Sequence, residues 1–392
     1  MWYLGVTELA QPRKLLFVVN VAWFFQSHRL PIAIAAKKAG YEVHVACSAE
    51  DRRAVKAILD AGCLIHDVPF SRGKINPVGE FRTVRALFAV YRTVRPTIVH
   101  HVTIKPVLYG SLLAWVFHTS AVVNAISGLG HTFSNRGWLS VIRRHLIRVL
   151  YRWLLAGKNT KIIFQNPNDL QEFVDKRIVP VHQTVLIRGS GVDLSEFRPT
   201  ASEGTQLRVL FPARMLWDKG VAEFVESAML VRDAGISAEF LLAGPFDPEN
   251  PGHVPEQTLR SYSELGNTRW IGNVVDIAEE MGRAAVICLP SYYGEGVPKA
   301  LIEAAACGKP IVTTDMPGCR EVVRDGWNGL LVPCRDSAAL AKALIVLLSD
   351  SKMREQFGEN SRQYAEQDFG LEPVVSRTIA IYEELLSVRC ES

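Results

Sequence analysis

The chain has 392 residues, of which 48% are hydrophobic, and its formal net charge is +4 at pH 7. This length exceeds one ordinary hydrophobic core and predicts two domains of near-equal size, while the apolar content excludes a disordered chain. Seven cysteines without a CxxC pair exclude a disulfide framework and a cysteine-pair zinc site, and they predict reduced thiols in the cytosol.

Short aliphatic runs alternate with helical segments through the first half of the chain. No signal-peptide pattern opens the sequence, and the apolar run 15–26 is too short to span a bilayer, so it predicts a buried first strand. The uncharged stretch 106–135 predicts a helix followed by a strand. The predicted strands are residues 15–19, 43–46, 98–101, 122–126, 161–165 and 185–188, with helices over 29–40 and 80–95. This alternation is typical of a doubly wound α/β sheet.

A polar stretch at 199–206 separates a second α/β unit. Its predicted strands are residues 208–212, 239–243, 286–289 and 311–313, and its predicted helices are 220–233, 275–284, 298–307 and 337–349. We expect an N-terminal domain over 1–198 and a C-terminal domain over 199–372, with a last helix within 373–392 that packs back on the first domain.

The two halves differ strongly in charge. Residues 1–198 contain 26 Lys and Arg against 12 Asp and Glu, the remainder contains 18 against 28, and residues 81–168 contain no acid. Such a basic half favours an anionic partner: a membrane surface, a phosphorylated acceptor or a nucleic acid.

Two cations flank the first strand-to-helix connection of the second unit. Arg214 and Lys219 follow the predicted strand 208–212, and Gly220 opens a helix. Such a turn offers backbone N–H groups and a positive helix end, which together with the cations suit a diphosphate. A solvated loop with surface charges is the alternative.

Two further strand ends offer backbone to a ligand. Gly244 ends the predicted strand 239–243, where a ligand can approach the chain closely. The segment 270–272 precedes a helix, and its backbone at Ile271 is positioned to contact a base. Ordinary turn or core roles explain each segment equally well.

The segment YYGEGVPKALIEAAACGKPIV, residues 292–312, contains two carboxylates eight residues apart. Pro298 fits a first helical turn, so Glu295 is expected on the loop and Glu303 inside the helix. A carboxylate accepts two neighbouring hydroxyls, so one acid suits a ribose and the other a transferred sugar. The N–H groups of Gly294, Gly296 and Val297 are then expected to face phosphate. A capping glutamate and a surface glutamate are the alternative.

Together these segments closely resemble the family 4 retaining glycosyltransferases, whose GT-B fold pairs two Rossmann-like domains across a cleft. The most specific part is the E-x7-E motif from Glu295 to Glu303, followed by Gly308-Lys-Pro and Pro317-Gly. The resemblance implies that Glu295 faces the donor sugar and that Glu303 binds the nucleotide ribose. It also implies that Arg214 and Lys219 hold the diphosphate.

Within the family, the segments FSRGKINP, NAISGLG and LPSYYGEGVP are similar to bacterial transferases that extend undecaprenyl-diphosphate-linked saccharides. These include transferases that add α-1,3-N-acetylgalactosamine to undecaprenyl-diphosphate-bacillosamine in protein N-glycosylation, and O-antigen and capsule enzymes. The resemblance implies a UDP-sugar donor, with UDP-GalNAc favoured, and a lipid-diphosphate acceptor. The enzyme is then expected in the cytoplasm, peripheral on the inner face of the bacterial inner membrane.

The first domain departs from the wider family. Many members have a catalytic-site histidine where this chain has Ser127, and NVAWFFQSHR replaces their first-strand Gly-Gly loop. His28, His101 and His131 remain as candidates to line the cleft on the acceptor side, although a single histidine is more often structural.

The sequence has no D-x-D triplet and no cluster of metal ligands, which predicts an enzyme without a metal cofactor. Cations and helix N-termini are then expected to stabilise the leaving diphosphate. Retention follows from the resemblance, with a UDP oxygen taking the acceptor proton.

The stretch WLSVIRRHLIRVLYRWLL, residues 138–155, has apolar and basic faces at helical spacing. Arg143, Arg144, Arg148 and Arg152 are the candidates for contact with anionic lipid headgroups. A helix that packs its apolar face on the sheet is an equally good interpretation of this stretch alone.

Three other classes compete with the transferase. A nucleotide-sugar epimerase would explain UDP binding without an acceptor, but the context of the two glutamates argues against it. A nucleic-acid-binding protein would use the basic half, but no recognised nucleic-acid motif is present. A dehydrogenase is disfavoured because Ser-Gly-Leu-Gly at 127–130 is a truncated glycine pattern outside the first βα turn.

Overall fold

The computed structural model of the chain describes residues 12–71, 76–128, 149–157, 159–200, 206–264 and 266–387. Within these residues the strands form two sheets, and every pairing in both sheets is parallel. The predicted α/β class with two Rossmann-like domains is confirmed.

The first sheet has seven strands in the order β3-β2-β1-β4-β5-β6-β7. They are β1 Lys14–Val21, β2 Glu42–Ser48, β3 Leu64–Asp67, β4 Ile98–Val102, β5 Ala121–Ile126, β6 Thr160–Phe164 and β7 Thr184–Leu186. Residues 15–19 of β1 are fully buried, which explains the continuous apolar run in the sequence: helices cover both faces of this sheet.

The helices of the first half cover the two faces of this sheet. They are α1 Ala22–His28, α2 Leu30–Lys38, α3 Arg52–Asp60, α4 Pro77–Val94, α5 Ile104–Val116, α6 at residues 149–154 and α7 Pro167–Asp175. Helix α4 begins at Pro77, three residues before the predicted start at residue 80, because Asn76 caps it by accepting from the Val78 N–H and Pro77 occupies the first turn.

The second sheet has six strands in the order β10-β9-β8-β11-β12-β13. They are β8 Leu207–Pro212, β9 Ala238–Ala243, β10 Thr268–Gly272, β11 Val286–Leu289, β12 Ile311–Thr314 and β13 Gly329–Val332. The chain order reverses between β8 and β11, and in open α/β sheets this point marks the ligand crevice.

The helices of the second half complete the fold. They are α8 Val221–Asp233, α9 Glu256–Ser263, α10 Ile277–Arg283, α11 Lys299–Ala306, α12 Pro317–Arg320, α13 Ser337–Ser349, α14 Ser351–Asp368 and α15 Leu371–Ser387.

Helix α15 returns to the first sheet. Its buried residues Val374, Ile381, Tyr382 and Leu385 belong to the same apolar cluster as β1 and β2. The Tyr382 hydroxyl lies 2.5 Å from Nδ1 of His100, a residue of β4. The boundary at residue 198, with the last helix assigned to the first domain, remains our prediction of the domain limits.

Candidate functional site

The candidate site lies at the carboxyl ends of the two central strands of the second sheet. Arg214 and Lys219 follow β8, and Glu295 follows β11, its neighbour in the sheet. Gly220 has φ +84°, and a Cβ there would lie 2.3 Å from the carbonyl oxygen of Pro290. Only glycine therefore lets the connection after β8 come this close to the end of β11.

Lys219 and Glu295 form a direct ion pair. The Lys219 Nζ lies 2.6 Å from Oε1 of Glu295, and both side chains are largely buried. Ser291 Oγ donates to the same carboxylate oxygen at 3.0 Å. Because two donors hold it, the carboxylate has a defined orientation at the mouth of the β8–β11 crevice.

Tyr293 lines the same corner. The Lys219 ammonium lies 5.6 Å from the centre of its ring. Burial raises the pKa of the Tyr293 hydroxyl, and the charges of Glu295 and Asp218 add to that effect while Arg214 opposes it. Tyr293 therefore remains a neutral phenol beside the ion pair at neutral pH.

Arg214 is oriented from both halves of the chain. Its Nη1 donates to Oδ2 of Asp247 at 2.7 Å, and its guanidinium lies 5.3 Å from the ring centre of Trp23 in α1. The side chain is 30% exposed. The guanidinium is therefore partly open to solvent while Asp247 holds it in place.

Glu303 is buried in α11, with 8% of its surface exposed. The Lys299 Nζ donates to its Oε1 at 2.6 Å, one helical turn earlier. Burial raises the pKa of the Glu303 carboxyl, and Lys299 counteracts that rise. Lys299, which the sequence left without a role, is thus the cation that favours the ionised form of Glu303.

Gly244 and Ile271 lie at the ends of β9 and β10. A Cβ on Gly244 would lie 1.8 Å from the carbonyl oxygen of Ala213, and the Gly244 carbonyl accepts a bond from Trp270 Nε1 at 3.0 Å. The glycine is thus needed for packing between strand ends. Ile271 is half-buried at the same edge.

The loop 294–297 contacts the first domain. The Gly296 N–H donates to Ser127 C=O at 3.2 Å, and the Val297 N–H donates to Oε1 of Gln165 at 3.3 Å. Asn166 Nδ2 donates to Gly296 C=O at 3.1 Å. In this arrangement the expectation that these two N–H groups face phosphate is wrong, because the first domain already occupies both donors.

Close backbone packing completes that contact. A Cβ on Gly128, which has φ +106°, would lie 2.4 Å from the Gly294 carbonyl oxygen. A Cβ on Gly318 would lie 2.2 Å from the Gly296 carbonyl oxygen. Glycines therefore allow the loop to fit between α12 and the end of β5.

The four candidate residues of the first domain lie in different surroundings. Ser127 is at the domain contact, and His28 is close enough to Lys299 and Arg214 for their charges to act on it. Burial and then these charges, with that of Arg29, lower the pKa of His28 well below its ordinary value, so it is neutral at pH 7. His131 lies outside the described residues.

His101 does not line the cleft, and that prediction is wrong. It is fully buried, its Nε2 lies 2.7 Å from the Tyr91 hydroxyl, and its Nδ1 lies 2.8 Å from Oδ1 of Asn124. A Cβ on Gly110 would lie within 2.4 Å of the same ring. His101 is thus enclosed in a buried polar network of the first domain.

Sequence reasoning missed several polar residues at the carboxyl edge of the first sheet. Asn20 is the second-last residue of β1 and Thr103 follows β4, and the described residues provide no hydrogen-bond partner for Asn20 Oδ1 or Thr103 Oγ1. Thr103 has φ +75°, which is strained for a β-branched residue. The signal available in the sequence was their position within two residues of the predicted strand ends at residues 19 and 101.

The basic stretch is described only in part. Arg143, Arg144 and Arg148 lie outside the described residues, whereas Arg152 is exposed on α6. Tyr151 of α6 and Leu155 directly after it are buried, while Val149 and Trp153 of α6 are exposed. These two apolar residues therefore do not pack on the sheet.

Two features are absent from the described residues, a membrane-spanning helix and a cluster of metal ligands. No described helix combines the length and apolar character required to cross a bilayer. Across the described ranges, no group of three or more His, Cys, Asp or Glu side chains is arranged to hold a metal ion.

Two family models match the chain, one on each half. The model for "Glycosyl transferases group 1" matches residues 193–364, and the "Glycosyl transferase 4-like" model matches residues 14–166. Together the two matches span both sheets almost completely.

Individual proteins resemble the chain over nearly its full length. One is the N,N'-diacetylbacillosaminyl-diphospho-undecaprenol alpha-1,3-N-acetylgalactosaminyltransferase of Campylobacter jejuni, 28% identical over 91% of this chain and 95% of that protein. Another is the capsular polysaccharide biosynthesis glycosyltransferase CapM of Staphylococcus aureus, 22% identical over 95% of this chain and 98% of that protein. Among solved structures, HepE of Anabaena in complex with UDP and glucose has a TM-score of 0.76 and 16% identity, over 95% of this chain and 100% of that chain.

Proposed function

This chain belongs to the group 1 glycosyltransferases of GT-B fold that assemble bacterial glycans, and we propose that it moves an N-acetylhexosamine from a UDP-sugar to an undecaprenyl-diphosphate-linked saccharide. N-acetylgalactosamine is the favoured sugar. The proposed reaction retains the anomeric configuration, uses no metal cofactor, and takes place on the cytoplasmic face of the inner membrane.

One observation supports the donor site most strongly: the Lys219–Glu295 ion pair beside Arg214 at the carboxyl ends of β8 and β11. Two cations at that edge match the two negative charges of a diphosphate. Glu295, held by Lys219 and Ser291, is positioned to accept hydroxyls of the transferred sugar. Lys219 then contacts the sugar-binding carboxylate and the leaving group together.

Glu303 is assigned to the nucleotide ribose. It lies inside α11, whereas Glu295, the proposed sugar-binding carboxylate, lies on the loop before that helix. Lys299 favours the ionised form of Glu303. An ionised carboxylate accepts hydrogen bonds from two adjacent hydroxyls, which is the arrangement of a ribose diol. The backbone at Ile271 remains our candidate for contact with the nucleotide base. The backbone at Gly244 remains our candidate for close approach of the donor.

The proposed transfer step requires no covalent intermediate with the enzyme. The bond between the anomeric carbon and the β-phosphate oxygen breaks, and the acceptor oxygen bonds to the anomeric carbon on the same face. The acceptor proton passes to the oxygen of the departing UDP. Arg214 and Lys219 stabilise the charge that develops on the diphosphate.

The acceptor is assigned to the first domain. Ser127 contacts the loop that contains Glu295, and His28 lies close to Arg214 and Lys299. Asn20 and Thr103 provide further oxygen atoms along the same sheet edge. The activity of the Campylobacter relative supports a lipid-diphosphate saccharide as the acceptor.

Turnover by the purified protein tests the proposal. A panel of UDP-sugars is combined with short undecaprenyl-diphosphate glycans, and product is measured by mass spectrometry in buffer with EDTA. Transfer of one N-acetylhexosamine is expected. Reaction only with a non-uridine donor, or only after a divalent metal is added, would contradict the proposed donor or the metal-independent mechanism.

A further inference from the structure

Two amide side chains directly after β6 hold one peptide unit of the loop that follows Glu295. Asn166 Nδ2 donates to the Gly296 carbonyl oxygen at 3.1 Å, and the Val297 N–H donates to Gln165 Oε1 at 3.3 Å. The carbonyl and the N–H belong to the same peptide unit, which joins Gly296 to Val297. Gln165 is 5% exposed and Asn166 is fully buried. We call Gln165 and Asn166 the amide clamp.

The clamp fits closely around Gly296. A Cβ on Gly296 would lie 2.2 Å from Gln165 Oε1 and 2.9 Å from Gln165 Cβ, so only glycine allows this approach. The preceding peptide unit is fixed as well, because the Gly296 N–H donates to the Ser127 C=O at 3.2 Å. Ser127 contributes only its backbone to this bond. The clamp is therefore the part of the contact that depends on which side chains the first domain provides.

Asn166 also caps α7, and its amide makes three hydrogen bonds. Its Oδ1 accepts from the Asp169 N–H at 2.8 Å, while its Nδ2 donates to Asp169 Oδ2 at 2.9 Å as well as to Gly296. The amide orientation is defined, because exchange of the two atoms would place an oxygen against a carboxylate and a carbonyl. Capping requires only an acceptor, which aspartate and serine also provide. The cap alone therefore does not require the Nδ2 donor that reaches Gly296.

Asp169 orients the Asn166 amide from within α7. Burial raises the pKa of the Asp169 carboxyl to about 6, the bond from Asn166 opposes the rise, and the charge of Glu172 adds to it. The carboxyl is thus ionised at about pH 7.5 and accepts from Nδ2. In a capping box the acid at this position reaches back to the backbone N–H of the cap residue, whereas Asp169 binds the cap side chain. This departure directs the remaining N–H of Asn166 to the second domain.

We propose that Asn166, oriented by Asp169 and assisted by Gln165, is a positioning residue for sugar transfer. The residue after Glu295 is fixed on both sides, so the first domain sets the position of a carboxylate that belongs to the second domain. A misplacement of about 1 Å near a reacting group can lower the rate about 100-fold. The inference rests on the proposed function for the role of Glu295, whereas the hold on the loop is measurable without transfer.

Substitutions that preserve the cap and remove the Nδ2 donor test the proposal in the full chain at about pH 7.5. Asn166→Asp places an oxygen where Nδ2 meets Gly296 and Asp169. Asn166→Ser removes the donor without adding a charge. Both retain a side-chain acceptor for α7. Asn76→Asp and Asn76→Ser are the matched controls, because Asn76 caps α4 through the same kind of bond and is exposed.

Hydrogen–deuterium exchange measures the hold on the loop directly. The N–H groups of Gly296 and Val297 both donate to the first domain, so the peptide 292–301 is expected to exchange slowly at these two amides in wild type. Exchange there is expected to be at least about fivefold faster in both Asn166 variants, because the peptide unit has lost a partner. The Asn76 controls should match wild type. Wild-type exchange in both Asn166 variants would overturn the proposal.

Kinetics separate positioning from a purely structural role. The kcat of transfer is expected to fall about 10- to 100-fold in both Asn166 variants. Their Kd for UDP, measured by calorimetry, should stay within about twofold of wild type, since the proposed UDP contacts belong to the second domain. Wild-type kcat in Asn166→Ser, an equal fall in the Asn76 controls, or a parallel loss of UDP binding would overturn the positioning role.

Two variants of Asp169 test the orienting carboxylate. Asp169→Asn retains an oxygen that accepts from the Asn166 amide and is expected to keep kcat within about threefold of wild type. Asp169→Leu removes the acceptor and is expected to lower kcat about tenfold; wild-type kcat in this variant would contradict the role of Asp169. Absence of transfer by the wild-type protein would refute the proposed function, while exchange in the Asn166 variants would still decide whether the clamp holds the loop.

Discussion

Lys219 and Glu295 follow different strands, β8 and β11, yet their side chains meet at 2.6 Å between Nζ and Oε1. Gly220 makes this approach possible, because any larger residue there would collide with Pro290. The pair is largely buried at the point where the sheet order reverses. A cation and an acid are therefore held together where we propose that the sugar diphosphate binds.

Replacement of Lys219 by Met is expected to lower kcat by about 10²- to 10³-fold, because one charge that stabilises the departing diphosphate is lost. Steady-state kinetics with the UDP-sugar measure this effect. Lys342→Met is the control, since Lys342 is exposed on α13. A kcat within about threefold of wild type would remove Lys219 from the transfer step.

The donor KM is expected to rise as pH falls through the raised pKa of Glu303. Burial raises this pKa, and protonation removes the carboxylate charge that we propose binds the ribose hydroxyls. Lys299→Met removes the cation that opposes the rise, so the acidic limb of the KM profile is expected to move to higher pH. Lys299→Arg preserves the charge and should leave the limb near its wild-type position; an unchanged limb in Lys299→Met would contradict the role of Lys299.

Gly128→Ala is expected to lower kcat at least tenfold, because an added Cβ would lie 2.4 Å from the Gly294 carbonyl oxygen and push the domains apart. Turnover and small-angle X-ray scattering measure the two effects. Gly235→Ala is the matched control, since Gly235 also has positive φ but no atom lies within 4 Å of its added Cβ. Both substitutions should cost about 1–2 kcal/mol in backbone strain, so equal kcat values would show that the contact at Gly128 is not needed.

Tyr382→Phe is expected to destabilise the first domain by about 1–3 kcal/mol, because it leaves buried Nδ1 of His100 without its partner. Urea unfolding, followed by a probe in the first domain, measures the change. Tyr262→Phe, at a half-buried tyrosine of α9, serves as the control. A loss below about 0.5 kcal/mol would indicate that the bond between Tyr382 and His100 does not stabilise the packing of α15 on the first domain.

The central strands could be predicted from the sequence because they are buried on both faces and read as continuous apolar runs. Strand β3 was missed, since Leu64 is exposed and Asp67 ends an edge strand with no apolar run. Helix α1 was missed because its residues continue the apolar run of β1. Helix α14 was missed because polar residues dominate its sequence.

Part of the candidate site could be predicted from the sequence. The pairing of Lys299 with Glu303 follows from their spacing of four residues in a helix that begins near Pro298. The contact of Ser127 with Gly296 did not follow, because it joins two domains through residues far apart in the chain. The burial of His101 likewise depends on Tyr91 and Asn124, which belong to α4 and β5.

Proton NMR of a single reaction tests the central claim most directly. Wild-type protein is mixed with UDP-GalNAc, EDTA and a short-chain polyprenyl-diphosphate saccharide, and the new anomeric signal is followed with time. The account predicts stoichiometric release of UDP and one new α-linked N-acetylgalactosamine on the acceptor. A β-linked product, or epimerised UDP-sugar without transfer to the acceptor, would contradict it.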